Sequence, residues 1–297
     1  MSLTGIQLAI LKPFTVEKAI DFAIEMKSKY GIDAVEISLE GTFDLPGVFI
    51  HQNEYKKLFA EKLRAFKSVG VHMPFMYLNP VAPDPAVAEF SIDQLKKSID
   101  YAGDIGANYA VLHTPGWSHK LDDKGLRAEW KKLIPIFLDH AIKRNIILSV
   151  ENVHPFIKLD LLAEMVRSFK SDNLKLTLDT GHAHFRVKHT RLQYHLQTFL
   201  DRYLPFGLIK KNIGWEKYGS LENFVKTEMD IINNFHIHDH NGKTDHICCG
   251  DGKIDFSFIK HIKNTNIPLI IETHCAKVDM LPDEVVERTF SFLNKNI

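Results

Sequence analysis

Short apolar, β-branched runs recur along the chain and alternate with stretches of helical periodicity. The runs are "IQLAI" (6–10), "AVEISL" (34–39), "GVHM" (70–73), "YAVLH" (109–113), "ILSVE" (147–151), "KLTLD" (175–179), "IINNFHIH" (231–238) and "LIIETH" (269–274). Each has the length and composition of a buried strand. Between them, "TVEKAIDFAIEMKSKY" predicts a helix with Thr15 as N-cap and Glu17 in its first turn. "SIDQLKKSIDYAGDIG" predicts another that stops at a glycine, and "AEWKKLIPIFLDHAIKRN", "LDLLAEMVRSFKSDN" and "DEVVERTFSFLNKN" follow. Strand–helix alternation implies parallel strands joined by crossover helices. Eight such units in 297 residues predict an α/β fold, a single (β/α)8 TIM barrel spanning 1–297. A doubly wound open sheet is the alternative, but no Gly-x-Gly-x-x-Gly follows the first strand. The segment 185–230 is long for a connection and predicts an extended helix with a lid-like excursion.

Composition narrows the function classes. Lys+Arg and Asp+Glu both number 37, so the chain lacks the basic excess of a protein that grips phosphate backbone. Cys248, Cys249 and Cys275 cannot form a disulfide framework, which fits a reducing compartment. No apolar run approaches the roughly 20 residues of a membrane span. The opening "MSLTGIQLAILKPF" lacks a charged region followed by an apolar one, so the expected location is cytoplasmic.

Histidine is the unusual count, at 16, and the placement of several is not random. Active sites of such barrels lie at the C-terminal rim of the strands. There, strand three ends at His72, strand four at His113, strand five at Glu151 and strand six at Asp179 with His182 beyond it. Strand seven ends at His236 and His238, and strand eight at Glu272. Charges at the ends of buried strands are costly unless paired or metal-bound. His236 and His238, two apart, project to one side, and the loop after them brings His246 within reach. Mixed imidazole–carboxylate sets suit Zn²⁺, Mn²⁺ or a similar divalent ion.

At these residues, from about 70 to 275, the chain resembles the xylose isomerase-like TIM-barrel superfamily, which includes sugar isomerases, 3-epimerases and nucleases of the endonuclease IV type. The stretches His236–Asp239, "GDGKIDF" (250–256) and "IIET" (270–273) are similar to that family's closing third. The sugar-isomerase pattern implies one metal on Glu151, Asp179, His236 and Glu272, with His182 and His246 facing the substrate. The endonuclease IV pattern implies three zinc ions, with additional ligands His72, His113, His182 and His246. Its remaining aspartate falls on Thr244 here, with Asp245 adjacent. That nuclease's DNA-inserting loop has no match in "EGTFDLPGVF" after strand two.

The resemblance implies a divalent-metal-dependent sugar, sugar phosphate or polyol isomerase or epimerase, with Glu151 and Glu272 exchanging a proton next to a carbonyl. The alternative is a zinc-dependent phosphodiester hydrolase acting on apurinic sites, the one reading with a nucleic-acid partner. Phe75, Trp117 and Trp215 are candidates for an apolar wall against a sugar ring. His238 is either a group orienting a ligand or a packed histidine, and Asp239 fixes His236 or a loop amide. His119, His154, His184, His240 and His274 carry no assigned role, and Lys210 and Lys211 belong to a solvated lid or meet a phosphate. Barrels of this kind often pair, so a homo-oligomer is compatible with the chain.

Overall fold

The computed structural model describes residues 3–8, 16–39, 53–76, 78–114, 123–153, 159–184 and 217–296. Eight parallel strands close into a barrel in chain order: β1 (Leu3–Gln7), β2 (Ala34–Ser38), β3 (Ser68–His72), β4 (Tyr109–His113), β5 (Ile147–Glu151), β6 (Leu174–Asp179), β7 (Ile232–Ile237) and β8 (Pro268–Ile271). The helices between them include α1 (Val16–Tyr30), α2 (Asn53–Leu63), α3 (Pro85–Asp104), α4 (Asp123–Lys143), α5 (Leu159–Ser168) and the short α6 (Thr180–His184). The TIM-barrel expectation is met.

Two boundaries differ from the sequence expectation for identifiable reasons. The first strand runs Leu3–Gln7 and not 6–10, because its ladder to β8 begins at Leu3↔Pro268 and its ladder to β2 ends at Gln7↔Glu36. The third helix begins at Pro85, six residues before the expected start: Asp84 accepts the Ala86 N–H at 2.9 Å and Pro85 occupies a first-turn position where no N–H is needed. It stops where Gly106 takes φ 75°, the left-handed conformation expected of a helix-ending glycine. Thr15 and the segment 185–216 lie outside the described residues. So do "EGTFDLPGVF", Trp117, His119, His154, Lys210, Lys211 and Trp215.

Strand side chains alternate between two environments. One set, including Val35, Ile37, Val71, Leu112, Val150, Leu178, Phe235, Ile237 and Ile271, is buried in the apolar layer under the helices. The other set points into the barrel and is largely polar: Gln7, Glu36, His72, Ser149, Glu151, Thr177, Asp179, Asn234 and His236 are all buried. Barrel interiors are ordinarily filled by branched apolar residues. Here interior side chains bond to one another, as where Ser149 Oγ lies 2.7 Å from Thr177 Oγ1 and the two hydroxyls lie 3.2 and 2.9 Å from Asn234 Oδ1. Apolar burial on the outside holds the fold, and the inside is free to carry chemistry.

Candidate metal centre

The strand-end donors converge. One ligand atom from each of Glu151, Asp179, His236 and Glu272 lies within 4.8 Å of the other three. Three further sets meet the same criterion and share members with it: His72, His113 and Glu151; His72, His236 and Glu272; and Asp179, His182, His238 and His246.

Glu151 is the hub. Its Oε2 lies 3.2 Å from His72 Nε2, 3.3 Å from His113 Nε2 and 3.5 Å from His236 Nδ1, while Oε1 lies 3.4 Å from His182 Nδ1. Burial alone would raise its pKa, but the surrounding imidazoles, His113 and His236 foremost, hold it well below the usual carboxylate range. Glu272 behaves alike: burial opposes ionisation, and His236 beside it prevails. Burial disfavours charge on His236 as well, yet Glu36, Glu272 and Glu151 raise its pKa well above the ordinary imidazole value. His182 is pushed up to about 9, because Asp179 and Glu151 outweigh its desolvation. Burial pushes His113 down. It also brings His274, whose ring centroid lies 4.3 Å from that of His246, down to about 4.

Several of these groups are oriented from behind. The His72 Nδ1 lies 3.1 Å from the Met73 carbonyl, which directs Nε2 toward Glu151. Asp179 caps the short α6, accepting the His182 N–H at 2.6 Å. Its own backbone is gripped at both polar groups by the Asn152 amide, at 2.7 and 2.9 Å. His238 Nδ1 accepts the His246 N–H at 3.0 Å, so its hydrogen sits on Nε2 and is donated to the Asp179 carboxylate, 3.1 Å away. Both nitrogens are thereby used, which makes His238 the holder of Asp179 and not a ligand in this geometry. A Cβ on Gly181 would lie 1.9 Å from the His238 ring, so only glycine fits there. His246 stacks on His238 with centroids 3.9 Å apart and 8° between planes, and takes φ 55°, a left-handed conformation rare outside glycine.

Asp239 serves the loop. Its two oxygens accept N–H groups from His240, Gly250, Gly252, Lys253 and Ile254 at 2.7–3.0 Å, winding "GDGKID" around one carboxylate. Asp245 pairs with Lys277 and lies 3.2 Å from His246 Nδ1. Among the described residues it belongs to no group of convergent donors. Phe75 stacks on His113 with centroids 4.0 Å apart and meets His72 edge-on, forming one wall of the mouth.

The donor set fits a divalent cation. Three buried atoms that face this cluster, His236 Nδ1, Glu272 Oε2 and His182 Nδ1, have no hydrogen-bond partner among the described residues. Buried polar atoms are rarely left so, and a cation among them would satisfy all three. The sequence reading passed over Glu36, Gln7 and Tyr109, which lie directly beneath this cluster. A lone acid inside the apolar "AVEIS" was the available signal, since its parity places it on the barrel's inner face.

A family model described as a xylose isomerase-like TIM barrel matches residues 24–296. The probable endonuclease 4 of Aquifex aeolicus is 31% identical over 136 residues, 44% of this chain and 48% of that protein. Among solved structures, the IolI protein with a bound zinc atom aligns with a TM-score of 0.70 at 15% identity, covering 99% of each chain. D-allulose 3-epimerase from Methylomonas sp., in complex with D-allulose, aligns with a TM-score of 0.68 at 16% identity over 100% of this chain and 97% of that one. At such identities the structural likeness speaks to the fold.

Proposed function

Because the chain belongs to the xylose isomerase-like TIM-barrel family, we propose that it is a divalent-metal-dependent isomerase or epimerase of a small sugar, sugar phosphate or polyol. One observation carries this reading: Glu151, Asp179, His236 and Glu272 bring four ligand atoms within 4.8 Å of one another inside a buried polar barrel. A divalent ion there would polarise a substrate carbonyl and offset the negative charge that develops next to it. Glu151 and Glu272 are both held as carboxylates, so each can accept the proton α to that carbonyl. A 1,2-isomerisation needs one of them to return the same proton to the neighbouring carbon. Epimerisation needs a protonated group on the opposite face, and His182, whose Nδ1 stands 3.4 Å from Glu151, is placed to exchange a proton with it. Phe75, and the stack of His246 on His238, offer flat apolar surface at the mouth. The balanced net charge suits a small polar substrate, and the zinc and D-allulose of the similarly folded proteins agree with the metal and substrate class.

A second reading has its own observation. His72 and His113 both converge on Glu151, which makes Glu151 a candidate bridge between two ions. Such a site suits phosphodiester hydrolysis of the endonuclease 4 kind, and the partial similarity to that protein supports it. The test is elemental analysis of purified protein together with two assays, ketose epimerisation and cleavage of abasic-site DNA. About one ion per chain with ketose turnover supports the first reading. Two or three ions with DNA cleavage and no ketose turnover would replace it with the second.

A further inference from the structure

Beneath the converging donors lies a layer that ligation does not use. Glu36 is 0% exposed, in the middle of β2. A carboxylate buried this deeply is costly unless its oxygens are met by donors. Its Oε1 accepts from Gln7 Nε2 at 3.1 Å and lies 2.9 Å from His236 Nε2. Its Oε2 accepts from the Tyr109 hydroxyl at 3.1 Å and lies 3.2 Å from the same His236 nitrogen. Tyr109 reaches across the barrel because residue 70 is glycine: a Cβ there would lie 2.2 Å from the phenol ring. Burial, with Glu36 beside it, keeps that phenol protonated and therefore a donor.

These contacts determine which atoms face the cluster above. An acceptor-only carboxylate at 2.9 Å requires a hydrogen on His236 Nε2, which leaves Nδ1 to face Glu272 and Glu151, 3.2 and 3.5 Å away. Gln7 donates its amide to Glu272 Oε1 at 3.0 Å as well as to Glu36, so Glu272 Oε2 is the oxygen left without a hydrogen bond, facing His236 Nδ1 at 3.2 Å. One amide and one carboxylate thus select one nitrogen and one oxygen, and both selected atoms point at the same place.

We infer that Glu36, assisted by Gln7, is the positioning residue of the metal centre, fixing His236 to ligate through Nδ1 and Glu272 through Oε2. The inference rests on the reading of Glu151, Asp179, His236 and Glu272 as a cation cage. Partners that orient metal-bound histidines in this way typically contribute ten- to a hundredfold in metal affinity.

The test compares the wild-type chain with Glu36→Gln, which keeps side-chain size but turns one acceptor into a donor. Zinc affinity is measured by competition with a chromophoric chelator, and ligand geometry by the visible spectrum of bound Co²⁺. The expected result is zinc binding weakened about 10- to 100-fold with a changed Co²⁺ spectrum, and a smaller loss for Gln7→Leu. Unchanged affinity and spectrum in Glu36→Gln would overturn the inference and leave the cage reading intact. A wild-type chain that binds neither ion would overturn the cage reading and this inference with it. Should Glu36→Gln fail to fold, ¹⁵N-histidine spectra of the zinc-loaded wild-type chain decide the matter, with the His236 signals assigned by their loss in His236→Gln. A retained Nε2 hydrogen with zinc at Nδ1 supports the inference, and zinc at Nε2 overturns it.

Discussion

The two halves of the centre are built differently. In the half formed by Asp179, His236 and Glu272, every candidate ligand is gripped from behind: Asp179 by His238 and Asn152, His236 by Glu36, Glu272 by Gln7. In the half formed by His72 and His113, only His72 has such a grip, from the Met73 carbonyl. His113 Nδ1 has no hydrogen-bond partner among the described residues, and its Nε2 lies 3.1 Å from His72 Nε2. Two imidazole nitrogens at that distance share one hydrogen or both face a cation. Groups fixed before a cation arrives lose less freedom on binding it. On the proposed reading the gripped half would be the stronger site, and the His72–His113 half a weaker one joined to it through Glu151 and through His72, which also converges with His236 and Glu272.

The largest expected effect removes what the halves share. Glu151→Gln should lower turnover by about a thousandfold and reduce the metal bound at both halves, measured by steady-state kinetics and elemental analysis. A variant that keeps its metal and turns over normally would break the comparison at its hub. Next, the halves can be set against each other. Glu272→Gln should cost about a hundredfold in turnover, and His113→Asn less than about tenfold. Equal losses would mean that an ion in the His72–His113 half takes part in the chemistry, which favours the hydrolase reading.

A subtler contrast lies in pH. His182, beside Asp179, has a folded pKa raised to about 9. The stability it lends is complete below its unfolded value of roughly 6.5 and is lost as pH rises through about 9. His113 in the other half is shifted down, so it costs stability as pH falls below that same unfolded value. Thermal melts of metal-free protein should therefore decline on both sides of neutrality, and His182→Asn should lessen the alkaline decline, to which the raised His72 and His236 also contribute. The smallest effects concern the supports. Gly181→Ala must displace the His238 ring, at about 1–3 kcal/mol by denaturant unfolding. Asp239→Asn weakens the acceptor of five loop amides, at a similar cost of about 1–3 kcal/mol. Both should disturb the gripped half more than the His72–His113 half.

Much of this was legible along the chain. Parallel strands under helices must be apolar on the side the helices cover, so a charged or imidazole side chain at the end of such a run stands out. That contrast marked Glu151, Asp179, His236 and Glu272, and the strand–helix alternation placed them on one rim. Glu36 and Gln7 carried a weaker version of the same signal, because one polar residue inside a short apolar run also fits an edge strand or a solvated face. Asp239 and His238 were visible as donors, but their roles were not, since a side chain's role depends on which atoms meet it.

The sequence by itself thus determined the barrel and the ring of donors at its mouth, because hydrophobic periodicity and side-chain parity are properties of neighbouring residues. Only the tertiary structure decided that Glu36 of β2 meets His236 of β7 across the barrel, that Gln7 turns one oxygen of Glu272 aside, and that His238 holds Asp179. Those assignments depend on atoms brought within about 3 Å from strands far apart in the chain, where closure of the barrel, and not local pattern, sets the distance.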